Sequence, residues 1–200
     1  MARVRNRCNL NAADHRVQEA DLRIFLNDAI NYLAVQSDWP WHRAEQSLSI
    51  TADTRNFTLG TAPRVLKNIV IESEDQVLDE ITTKRAGAYF TIANGRPLFF
   101  TWSNNSIDIF PKANKAYTAT VQYLKYPDQL TTGTDEVDSP DTFDALIVTR
   151  AAMYVAEKIR DSEMAQRMEI TFRRELEEMM AMANDTRSPI GVNIRDDWLL

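Results

Sequence analysis

Five acids close together, Asp135, Glu136, Asp138, Asp141 and Asp144, form the one constellation in this sequence able to hold a divalent cation. Carboxylate oxygens are hard ligands that suit magnesium, calcium or manganese, and an ion held there could serve phosphate chemistry, so a metal-dependent nuclease has to be considered. The plainer reading, and the preferred one, is a set of loop and helix-start acids. Elsewhere the supply of reactive groups is thin. His15 and His42 are the only histidines and lie far apart, which excludes HExxH and any short His/Cys metal spacing. The glycines, Gly60, Gly87, Gly95, Gly133 and Gly191, are too widely spaced for GxGxxG, a P-loop or GxSxG. Cys8 stands alone, cannot form an internal disulfide, and reads as a spectator in a mobile N-terminal segment. No catalytic residue, metal ligand or cofactor is expected.

The composition agrees. At 200 residues and 44% hydrophobic content the chain can bury a core. Its 23 basic and 29 acidic residues leave a net charge of −6, which argues against a protein whose main work is gripping nucleic acid. The longest aliphatic runs, Ile69–Ile71 and Ala145–Val148, are far short of a membrane span, so no membrane role is expected. Arg3, Arg5 and Arg7 open the chain with no apolar stretch of signal-peptide type after them, which places the protein in the compartment where it is made. Those arginines read as a frayed, solvated terminus or as contacts to phosphates or an acidic partner.

The elements that must position these groups follow from periodicity. Val17 to Val35 reads as a helix buried nearly all round, capped by Asn11 or Asp14 and ended before Pro40. After Trp41 the period changes to two, with Leu48 and Ile50, then Phe57 and Leu59, as strand positions. Asn94-Gly95 predicts a hairpin between 88–93 and 96–102, because a two-residue turn that needs positive φ twice favours that dipeptide. A turn at 103–106 leads into Ile107 to Phe110, and Tyr117, Ala119, Val121 and Tyr123 alternate with polar residues. Ser139-Pro140-Asp141 predicts a helix start with Ser139 as cap and Pro140 at the first helical position, running to about Arg160. Asp161-Ser162 separates it from a helix with Met164, Met168, Phe172, Leu176, Met179 and Met180 on one side and Glu/Arg pairs on the other.

The fold class is therefore α+β: an N-terminal helix, a central antiparallel meander of hairpins with four to six strands, two C-terminal helices packed with the first, and an extended tail. The domain reading is a flexible lead over 1–15, a main domain over 16–184 with a helical body and a β region at about 46–125, and a docking tail over 185–200.

Three features bear on partners. Trp39-Pro40-Trp41 reads as a core lid or an intersubunit contact, and the methionine stripe as core or a partner groove. In the tail, Ile190, Val192 and Ile194 alternate with Gly191, Asn193 and Arg195 before Trp198, Leu199 and Leu200. Such a segment suits addition to a sheet edge or groove on another chain, or folding back on its own domain. The six apolar residues, Ile190, Val192, Ile194, Trp198, Leu199 and Leu200, are the candidate contacts for another chain.

Over residues 16–183 the chain resembles the adaptor, or head-to-tail connector, proteins of tailed bacteriophages, the short-tailed, tail tubular protein A-like type in particular. The resemblance rests on the opening helix before Trp39-Pro40-Trp41, the Leu48/Ile50 strand, and the strand running into Tyr123-Leu124-Lys125-Tyr126-Pro127 and Leu130. It also rests on Pro140, Phe143, Ile147 and Ala151-Ala152, followed by the helix from Glu163 to Ala183. It implies a virion protein at the head-tail junction, assembled in the host cytoplasm as a homo-oligomeric, dodecameric ring below the portal protein. Such a ring extends the channel through which double-stranded DNA passes without sequence-specific binding, and it is a platform for a downstream tail protein (nozzle, tail tube or fibre). Head-closure stopper or tail-terminator proteins are the nearest rivals; outside the class stand the nuclease and a small regulatory ligand-binding domain.

Overall fold

A computed structural model describes residues 1–10, 15–90, 92–132, 135–137 and 139–184, apart from the side chains of Asp141, Thr142 and Asn184. In chain order the elements are α1 (Ala2–Arg7), α2 (Glu19–Ala34), a 3₁₀ turn (Pro40–His42), β1 (Arg43–Ile50), β2 (Asn56–Thr58), β3 (Val65–Ile71), β4 (Gln76–Val77), β5 (Asp79–Glu80), α3 (Thr83–Ala86), β6 (Phe99–Ser103), β7 (Ser106–Phe110), β8 (Tyr117–Leu124), α4 (Asp141–Ile159) and α5 (Ser162–Asn184). They divide into two compact units: a helical one from Met1–Trp41 with the described part of Pro127–Leu200, and a β unit from His42–Tyr126. The α+β class holds.

In the helical unit α4 is the central rod. Leu146, Ala151, Ala152, Val155 and Ala156 are all but fully buried because α1, α2 and α5 pack around it, and the three alanines let those helices approach closely. α2 contributes Leu22, Leu26, Ala29, Ile30 and Leu33 to the same core, and α5 contributes Met164, Phe172 and Met179. Asn27 fastens the 127–132 segment to α2 by accepting from Leu130 N–H (2.8 Å) and donating to its carbonyl (3.0 Å). The α4–α5 corner forms as the sequence indicates: Arg160 adopts φ 61°, and Asp161 Oδ1 accepts from Met164 N–H (2.9 Å) as the cap of α5.

Three local expectations change. α2 is capped by Gln18 through a capping box with Asp21, so neither Asn11 nor Asp14 opens it, and both lie outside the described residues. Pro140 is the cap position of α4 and not its first turn; Ser139 makes no cap bond, and Phe143 N–H bonds to Pro140 O (2.8 Å). Residues 2–7, expected as part of a flexible lead, are helical, with Val4 wholly buried.

The β unit holds two four-stranded sheets, ordered β1-β8-β3-β4 and β2-β7-β6-β5, around one core. β8 alternates with strand period, burying Tyr117, Ala119, Val121 and Tyr123, because it lies between β1 and β3 with one face inward. The pairing is not a simple meander. β1 pairs along its whole length with β8, and β5 with β6 is parallel.

The Asn94-Gly95 hairpin does not form. Its first flank opens in a 3₁₀ turn at Gly87–Tyr89 and holds no strand among the described residues, and neither Asn94 nor Gly95 takes positive φ. Asn94 Nδ2 instead donates to Asp53 Oδ1, while Gly95 bridges to Ala113 in parallel, its N–H on Lys112 O (2.9 Å) and its carbonyl receiving Asn114 N–H (3.0 Å). A Cβ at Gly95 would meet Pro111 at 3.3 Å, so glycine serves close approach there rather than a turn. The two-residue hairpin turn is Asn104-Asn105, between β6 and β7, with Asn104 at φ 58°.

Candidate functional site

The acidic constellation is divided between two structural jobs. Asp135 accepts from the N–H groups of Thr131 (2.5 Å) and Thr132 (2.8 Å) and from both their hydroxyls, so it ties a turn. Those bonds, the Thr132 hydroxyl first, hold its carboxyl far below the usual range. Asp144 accepts from Arg3 Nη1 at 2.8 Å. Asp135, Glu136 and Asp144 share the rim of one cavity of about 530 Å³ with Arg3, Leu26 and Leu130. Asp138 and the Asp141 side chain lie outside the described residues. Among the described residues no three His, Cys, Asp or Glu side chains stand close enough to share a metal ion.

Cys8 is buried against the helical core, its Sγ 3.9 Å from Ala152 O, and not in a loose segment. Burial pushes its thiol up to about 11, with Arg7 opposing. A protonated, enclosed thiol is a poor nucleophile at neutral pH. His42 is buried at the end of the 3₁₀ turn, and His15 is exposed.

The N-terminal arginines are engaged within the helical unit. Arg7 Nη2 donates to Glu175 Oε1 (2.6 Å) and to Thr149 Oγ1 (2.7 Å), and Thr149, wholly buried, donates onward to Ala145 O (2.9 Å). Arg5 Nη2 donates to Val17 O at 3.0 Å. Neither the frayed terminus nor a free phosphate clamp describes them; Arg3 and Arg7 fasten α1 to α4 and α5, and Arg5 ties it to the segment before α2.

The aromatic and methionine features resolve as core. Trp39 is fully buried, stacks on Trp41 (5.0 Å between centroids), and meets Phe143 edge-on (5.0 Å), with its Nε1 on Leu33 O at 2.6 Å. Met164 and Met179 are buried, while Met168 and Met180 are half-buried against the same core.

Two arrangements were not legible in the sequence. Arg150 Cζ stands over Tyr32 (4.0 Å), Tyr154 (4.8 Å) and Phe172 (5.4 Å), a cation boxed by rings from three helices. Arg55 Cζ lies 4.0 Å over Phe90, which meets Phe110 edge-on while keeping 54% of its own surface exposed. Ile92 and Leu98 of the same connection are also exposed. For Arg150 the available signals were its place in the apolar stretch 145–155 and Tyr154 one helical turn on, while Tyr32 and Phe172 are remote; Arg55, among Asp53, Thr54 and Asn56, gave none.

What these parts can do is bind. Asp135, Asp144, Arg3, Arg5 and Arg7 are spent on fastening elements, and exposed apolar side chains remain on both units, Ile24, Val35 and Ile170 on the helical one and Phe90, Ile92 and Leu98 on the β one. The family model described as SU10 adaptor protein matches residues 1–193. The chain belongs to the SU10 adaptor protein family. As an SU10 adaptor it is a phage adaptor and a virion component, and the resemblance drawn from its aromatic and turn positions holds. No curated protein matched the chain. The SU10 adaptor's six candidate contacts, Ile190, Val192, Ile194, Trp198, Leu199 and Leu200, lie outside the described residues.

Proposed function

We propose that this adaptor is the subunit of a dodecameric ring at the head-tail junction, seated below the portal protein after DNA packaging. The ring prolongs the DNA channel and is the platform on which the downstream tail protein assembles, and the virion is put together in the host cytoplasm. The family match over residues 1–193 carries the reading. Two physical features support it. A net charge of −6 per chain, repeated around a ring, gives passing DNA phosphates little reason to stick. Asp135, Asp144 and the N-terminal arginines are absorbed in structural bonds, as a part that holds others together requires, and no turnover is expected of it.

Residues 190–200 are the proposed docking segment, ordering on the portal or on an adjacent subunit. Electron microscopy of the purified protein with portal rings tests the whole reading: twelvefold rings on the portal are expected. A protein that leaves portal rings bare, or that cleaves duplex DNA with magnesium or manganese, overturns it.

A further inference from the structure

The longest open sheet edge in the β unit is that of β1, eight residues against three for β2 and two each for β4 and β5. Its phase is set where Lys125 N–H bonds to His42 O (2.8 Å), which, with the register Arg43↔Leu124 to Ile50↔Tyr117, turns the backbone groups of Ala44, Gln46, Leu48 and Ile50 toward β8. The N–H and C=O groups of Glu45, Ser47 and Ser49 therefore point to the other side, where they make no backbone hydrogen bond among the described residues. Such a row is a template for another strand. On the same edge Leu48 and Ile50 face the core while Arg43, Glu45, Ser47 and Ser49 are exposed.

We propose that this edge receives residues 190–197 of a second copy of the chain, added antiparallel with Ile190 opposite Ile50 and Asp197 opposite Arg43. The inference rests on the docking-tail reading and assigns its receptor. Complementarity selects the segment and the register. On the inward face Ile190 meets Ile50, Val192 meets Leu48, Ile194 meets Gln46 and Asp196 meets half-buried Ala44, so the apolar match covers 190–194 and ends at Asp196; on the outward face Gly191 meets Ser49, Asn193 meets Ser47, Arg195 meets Glu45 and Asp197 meets Arg43. Both outward ionic pairs are of opposite sign, the favourable arrangement for directly opposed residues. Residues 191, 193 and 195 each carry an N–H, so three residue pairs can exchange both backbone bonds, and Pro189 falls opposite Thr51, past the end of β1. Strand addition of this kind draws affinity from the main chain and specificity from the alternating side chains.

Cysteine pairing in trans tests it. Full-length chains carrying Ser47→Cys are mixed with chains carrying Asn193→Cys and oxidised, alone and on portal rings; Cys8 is buried and does not compete. A 47–193 disulfide between chains is expected, and a 49–191 pair likewise, with the offset 47–191 pair much weaker. Glu45→Lys should lower the yield about threefold to tenfold, and Arg195→Glu on the other chain should restore it. Ser47→Pro should abolish capture without unfolding the protein, since that N–H is outside the β1–β8 ladder. No inter-chain disulfide in either condition overturns the proposal. Protection of the edge amides by portal without a 47–193 bond assigns the edge to the portal and also overturns it. Deleting 190–200 separates the layers: unchanged ring assembly sinks the docking-tail reading itself, whereas lost assembly without the disulfide removes only the β1 edge.

Discussion

Backbone hydrogen bonding sets the helical unit apart from the β unit. In the helical unit Arg7, Arg3 and Arg150 find a carboxylate, a buried hydroxyl or a box of rings, and the helices satisfy their own backbone. In the β unit the N–H groups of Glu45, Ser47 and Ser49 on β1 make no backbone hydrogen bond among the described residues. The difference follows from secondary structure: a helix spends its hydrogen bonds locally, while a sheet always has edges unless it closes. An adaptor built this way spends its backbone groups internally in one unit and keeps a sheet edge in the other.

Trp39→Ala should break that contrast most severely, costing about 3–5 kcal/mol in urea unfolding, because Trp39 is wholly buried and stacks against Trp41 and Phe143. A loss under 1 kcal/mol would mean that the Trp39 cluster does not hold the helical unit together. The open edge predicts an alternation in hydrogen exchange of the unassembled chain: amides of Glu45, Ser47 and Ser49 should exchange about a hundredfold faster than those of Gln46 and Leu48. Uniform protection along β1 would show the edge already covered. Arg150→Met keeps the stem and removes the cation, so stability should fall by about 1 kcal/mol; no change would make the aromatic box mere packing.

The smallest effect concerns Asp135. Its carboxyl is held below its ordinary value of 3.8, so it stabilises the fold at pH values above 3.8 and loses that contribution as the pH falls toward its lower folded value. Asp135→Asn should therefore be less stable than the parent at pH 6, with the gap narrowing as acid protonates the parent. A constant gap from pH 6 to pH 2 would remove the turn-tying role.

Legibility tracked the range of the interactions. The α4–α5 corner at Arg160-Asp161 and the alternation of β8 were readable because cap and strand signals lie within a few residues of what they act on. The Ser139-Pro140 start was one position out, since φ near −60° suits the cap and the first turn alike. The Asn94-Gly95 turn failed because a local preference lost to partners from afar, Asp53, Lys112 and Asn114. The acids of 135–144 were visible as a cluster, but their division between a threonine turn and Arg3 was not. For the N-terminal arginines, partners at Glu175 and Thr149 are likewise beyond any window on the sequence.

By itself the sequence determined the α+β order of elements, the absence of familiar catalytic spacings and the adaptor resemblance, because patterning, capping and motif spacing are properties of neighbouring residues. Only the tertiary structure decided which strands pair, which arginines are enclosed and which side of β1 stays open. Those outcomes depend on contacts between residues tens to more than a hundred positions apart, whose mutual geometry no local preference encodes.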